Sequence, residues 1–125
     1  MASRRKGRIL AFQALYAWDL SGKKPDDQEL PEFSRLLIAG TVENISAIDK
    51  MIRKHLQNWD ISRLNRVDLA VLRISVYALM YQPDTAPSIV IDEAIGISKE
   101  FGTDDSYRFV NGVLDGIRKS LEAEN

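Results

Sequence analysis

A chain of 125 residues, 45% hydrophobic and 28% charged, has the size and composition of one folded domain spanning residues 1–125 and not those of a disordered chain. Its formal net charge of −1 excludes bulk attraction to nucleic acid, and the lack of cysteine excludes disulfides, thiolate nucleophiles and Cys-ligated zinc, as fits the cytoplasm. The charge is nevertheless segregated: Arg4, Arg5, Lys6 and Arg8 stand together without an acid, whereas Asp92, Glu93, Glu100, Asp104 and Asp105 face Lys99 alone over their stretch.

From Arg4 to Leu20, the spacing of Ile9, Phe12, Tyr16 and Leu20, widened by Ala11, Leu15 and Trp18, predicts a well-buried first helix. Gln13 and Asp19 interrupt the apolar stretch and no small-residue cleavage site follows, so this is expected to be a helix of the mature protein and not a secretory signal. Ser21-Gly22 ends it, and Lys23 to Glu29 reads as a loop. Pro31 suits a first helical turn. Phe33, Leu37, Ile48, Ile52, His55 and Trp59 then join into one face of a long second helix, in which Gly40-Thr41 marks either a kink or a close approach.

A third helix from about Asn65 to Tyr81 is apolar almost all round, the pattern of a central helix. It carries Asp68 and Arg73 and is shorter than the roughly 20 residues a bilayer requires, so no membrane span is expected. Beyond Pro83 and Pro87, Ile89 to Phe101 outlines a fourth helix ending at Gly102. Thr103, Asp104 and Asp105 are placed to cap a last helix carrying Phe109, Val110, Val113, Leu114, Ile117 and Leu121. Asn111-Gly112 within it is an ordinary hairpin signal, outvoted by helical spacing on both sides. The expected fold is an all-α, mainly antiparallel helix bundle.

Catalysis finds little support. The single histidine, His55, sits four residues before Trp59 on an apolar helix face and reads as structural. The adjacent carboxylates Asp26-Asp27, Asp92-Glu93 and Asp104-Asp105 point about 100° apart on a helix, which suits solvated surface or capping better than a shared proton or metal. No glycine-rich phosphate loop occurs. No catalytic residue, metal ligand or cofactor is therefore expected. The positive signal is the basic arm Arg4, Arg5, Lys6 and Arg8 running into a helix, with Tyr16 further along it as a surface on which an unpaired base could stack.

Three segments carry a resemblance: Arg4 to Arg8 followed by Gln13 to Leu20, then Val67 to Arg73, then Phe101 to Asp115 (FGTDDSYRFVNGVLD). In order and spacing, from about Ser3 to Leu121, the chain resembles the NusB family of transcription antitermination factors. That resemblance implies two packed three-helix units and a protein that, with NusE, a ribosomal small-subunit protein, binds boxA, a single-stranded element of nascent ribosomal RNA leaders. The pair, with RNA polymerase and other Nus factors, opposes premature termination and assists ribosome assembly. It implies RNA contact by Arg4, Arg5, Lys6, Arg8, Tyr16, Asp105 and Phe109, and protein contact by Tyr16 and Asp68; an isolated acid beside an apolar face suits a basic partner. Gly7 replaces the family's usual alanine, which should fray the helix start and leave the arm ordered only on RNA; Asp92 replaces the usual asparagine, and Gly96 should loosen the fourth helix. The same fold resembles the N-terminal domain of certain ribosomal RNA cytosine methyltransferases, but the strand pattern and cofactor loop of their catalytic half are not present. A helical adaptor that binds protein without RNA is the main competing reading.

Overall fold

The computed structural model describes residues 3–57 and 60–124. Within them the chain forms six α-helices and no strand: α1 (Arg4–Ser21), α2 (Glu32–Glu43), α3 (Ile45–Lys54), α4 (Arg66–Tyr81), α5 (Pro87–Phe101) and α6 (Ser106–Ala123), with a 3₁₀ turn at Ile61–Arg63 between α3 and α4.

The start and stop signals act as local chemistry requires. Ser3 caps α1 by accepting a hydrogen bond from the Lys6 amide, and Gly22, in the left-handed region at φ 71°, closes it with its N–H on the Trp18 carbonyl. Asn65 caps α4 through bonds from the Val67 and Asp68 amides, and Pro87 opens α5. α6 runs unbroken through Asn111-Gly112, because Val110, Val113, Leu114 and Ile117 bury one face against the core on either side of the dipeptide. Capping by Asp104 and Asp105 is not found: no side-chain bond caps α6. Instead the turn before α6 is tied by Ser106, whose hydroxyl oxygen accepts from the Thr103 amide at 2.9 Å.

The expected long second helix is two helices. Asn44 breaks it with φ −108° and ψ 18°, its side-chain amide donating to the Gly40 carbonyl at 2.8 Å and so competing with the helical ladder. The second piece ends at Lys54, and the Trp59 placed on its face lies outside the described residues. Gly40 is a close approach and not the kink: a β-carbon there would collide with the Tyr77 ring of α4.

α4 is the centre. It packs against α1, α2, α3, α5 and α6, and Leu69, Val71, Leu72 and Val76 are fully or almost fully buried. Burying four such side chains contributes on the order of 6–12 kcal/mol before chain entropy is charged. α1 runs antiparallel to α4, since Asp19 near its end meets Arg66 at the start of α4 at 3.2 Å. α1 lies on α5 through Phe12 and Phe101, whose ring centroids are 5.3 Å apart.

Candidate nucleic-acid interface

The basic arm is the first turn and a half of α1, not a frayed extension. Gly7, expected to loosen it, does the opposite. A β-carbon at Gly7 would sit 2.7 Å from the Phe33 ring, and the Ser34 hydroxyl of α2 donates to the Gly7 carbonyl at 2.8 Å. The bare backbone lets α2 close against α1 and fixes the helix start. Gly96 likewise makes room: a side chain there would meet the Arg5 guanidinium, which lies across α5 at that point.

The four cations are held differently. The Arg4 guanidinium lies 4.3 Å from the centroid of Phe33 and that of Arg8 5.4 Å from the same ring, the i,i+4 spacing bringing both to one side of α1. Arg5 pairs with Glu100 at 3.4 Å and with Glu93 at 3.8 Å, and Arg8 reaches Glu93 at 4.0 Å. Burial lowers the Arg8 pKa, Glu93 opposes that shift and neighbouring Arg4 adds to it; the guanidinium stays charged at neutral pH. Lys6 is exposed. The acids of α5 that are remote in sequence thus fold back onto the arm, and Glu93 is not the solvated surface residue its neighbour Asp92 is.

Arg4, Arg5 and Arg8 line one open groove of about 750 Å³ together with Phe33, Tyr77 and Tyr81. Tyr16, Asp68, Asp105 and Phe109 do not line it. Tyr16 is half-buried against the core, eleven residues or roughly 16 Å along α1 from Arg5. Asp105 is exposed at the start of α6, where Arg108 approaches it at 3.7 Å, and Phe109 packs partly into the core one turn later.

Asp68, expected as an isolated acid suited to a basic partner, is buried. It is 7% exposed at the start of α4, and its Oδ1 has no hydrogen-bond partner. Burial raises its pKa, while a bond with the Ser106 hydroxyl lowers it less. As placed at the start of α4, it offers a partner little surface.

His55 is structural. Nδ1 lies 3.1 Å from the Met51 carbonyl and Nε2 2.9 Å from the Ser120 hydroxyl, so the ring ties the end of α3 to α6. Among the described residues no group of His, Asp and Glu is arranged to hold a metal, and no helix is long and apolar enough to cross a membrane. Sequence reasoning missed Tyr77, Tyr81, Glu93 and Glu100 as neighbours of the arm. The i,i+4 pair Tyr77 and Tyr81 was the signal available, as two aromatic rings one turn apart at the end of a helix.

The model of the NusB family matches residues 5–119. The transcription antitermination protein NusB of Treponema denticola is 54% identical, the match covering 92% of this chain and 95% of that protein, and its counterpart in Treponema pallidum is 50% identical over 94% and 93%. Among solved structures, NusB of T. maritima superposes with a TM-score of 0.86 at 35% identity over 99% of both chains. A chain from a crystal structure of the antitermination factors NusB and NusE in complex with dsRNA superposes with a TM-score of 0.84 at 31% identity, over 94% of this chain and 96% of that one. The chain belongs to the NusB family.

Proposed function

We propose that the chain is a transcription antitermination factor that binds boxA RNA of nascent ribosomal RNA leaders together with NusE, and so acts in the cytoplasm on the RNA polymerase elongation complex with other Nus factors. The observation that carries this is the arm: Arg4, Arg5 and Arg8 converge on one groove from a rigid, capped helix start, with only part of their charge answered by Glu93 and Glu100. Lys6 adds a fourth exposed cation. A pre-ordered row of guanidiniums meets phosphates without first ordering a flexible tail, which lowers the entropic cost of binding.

The α6 start, with Asp105 and Phe109, and Tyr16 on α1 extend the RNA-facing surface in this reading. Tyr16 and the start of α4 that carries Asp68 face NusE. The reading involves no catalysis, as for the NusB antitermination proteins the chain resembles, and His55 serves in it to tie α3 to α6.

Electrophoretic titration of boxA RNA with the protein, alone and with NusE, tests the reading. A retarded complex with the protein alone, formed at lower concentration when NusE is added, is expected. Failure to retard RNA in either case, with NusE binding retained, would replace it by the protein-only adaptor.

A further inference from the structure

The arm's groove has a second wall that phosphate binding does not use. Tyr77 lies over Gly40, where no side chain could fit, so its ring is pinned between α2 and α4. Tyr81, one turn on, stacks against it with centroids 5.5 Å apart and planes 29° from parallel. Tyr81 is 40% exposed, and Leu36 and Ile89 in the same groove are 49% and 51% exposed. Apart from Leu20 these are the large apolar side chains that the described surface leaves open to water, and they gather beside three arginines.

We propose that this groove seats one nucleobase of a bound single-stranded RNA on the open face of Tyr81, continuing the Tyr77–Tyr81 stack, while Arg4 and Arg5 at the rim take the flanking phosphates. The inference rests on the RNA-binding reading and adds to it the contact that holds a base. A groove of about 750 Å³ admits a nucleotide. The rings suit the π-face of any base, so the seat adds affinity without sequence preference. Charge decides for RNA over a peptide: Arg4, Arg5 and Arg8 outnumber Glu93 and Asp84 along the lining, and an alternation of stacked ring and guanidinium matches an alternation of base and phosphate.

Stacking and charge separate by their salt dependence. With a boxA RNA as probe, Tyr81→Ala should weaken binding about 5- to 100-fold without changing the slope of log affinity against log salt. Tyr81→Phe, which keeps the ring, should restore most of the loss. Tyr81→Leu keeps an apolar helix-compatible side chain without a π-face, and should lose the same affinity as the alanine variant while melting like the parent. Arg4→Ala should instead flatten the slope. If Tyr81→Ala and Tyr81→Leu bind like the parent while Arg4→Ala is weakened, the base seat is wrong and the RNA reading stands. If none of the three is weakened, both fail. Loss of NusE binding with RNA affinity intact in the Tyr81 variants would make the groove a protein seat and also overturn the proposal.

Discussion

The two ends of α1 each carry a cluster of arginines and acids, and they are built differently. At the C-terminal end Arg73 grips Asp49 with two bonds, Nε to Oδ1 at 3.0 Å and Nη2 to Oδ2 at 2.9 Å, while Asp19 receives Arg66 at 3.2 Å and Arg73 at 3.6 Å. Here two cations meet two acids with three of the four contacts at 3.2 Å or less, mostly sheltered from water, and Arg66 turns its remaining donors onto the Ile61, Ser62 and Leu64 carbonyls. At the N-terminal end the contacts are 3.4–4.0 Å, and the arginines and Lys6 exceed the acids that answer them. The first cluster has no capacity left and joins α1, α3 and α4. The second is positioned but unsaturated, which is the electrostatic state of a surface waiting for an anion.

Removing the central cation of the saturated cluster should have the largest effect. Arg73→Ala leaves Asp49 and Asp19 without their shared partner in a site where Arg73 is only 12% exposed, and should cost about 2–4 kcal/mol in urea unfolding. RNA affinity measured below the unfolding transition should not change. If Arg73→Ala instead weakened RNA binding at full stability, the division of labour between the two ends would be wrong.

Relieving the unsaturated cluster should produce a smaller effect of opposite sign. Glu93→Gln removes the acid shared by Arg5 and Arg8, and should raise RNA affinity roughly three- to five-fold at low salt, since one charge at about 4 Å is worth about 1 kcal/mol in water. Tight-binding titrations at low ionic strength read this directly; lower affinity would mean that Glu93 orients the arginines more than it competes for them.

Asp68 belongs to neither cluster and pairs with no cation among the described residues, so it sets the contrast for both. Because its folded pKa is raised above the unfolded value, its penalty is absent below the unfolded pKa and grows as pH rises through the folded one. Asp68→Asn should therefore be slightly the more stable protein at neutral pH, with the advantage fading on acidification. Melting curves across that range check it. A variant less stable at pH 7 would mean that the carboxylate has a cationic or solvent partner.

How much of this was legible follows from where each determinant lies. The helices were readable because apolar spacing and caps are local: Ser21-Gly22, Pro87 and Gly102 each act within one turn. The break at Asn44 was not, because the residues around it favour helix and only one side-chain amide tips the balance. The basic arm was readable as charge, yet its pairing was not, since Arg5 and Glu100 stand 95 residues apart. Gly7 and Gly96 read as weak points in sequence and Gly40 as a kink or a close approach; all three are contact points in space, a distinction that depends on Phe33, Arg5 and Tyr77 arriving from elsewhere. Asp68 was readable as an isolated acid beside an apolar face, but its burial was not, because helical spacing alone does not show what packs over the start of α4.

The central claim, that the unsaturated end of α1 holds RNA, is tested most directly by the salt dependence of boxA RNA binding for the parent protein and for Arg4→Ala/Arg5→Ala. If about four phosphates are neutralised, the parent slope of log affinity against log salt should be near −2.8, roughly a fifty-fold loss between 50 and 200 mM salt. The double variant should flatten the slope by about 1 to 1.5 with nearly unchanged thermal stability, because exposed charges contribute little to folding. A double variant with the parent's affinity and the parent's slope would contradict the account.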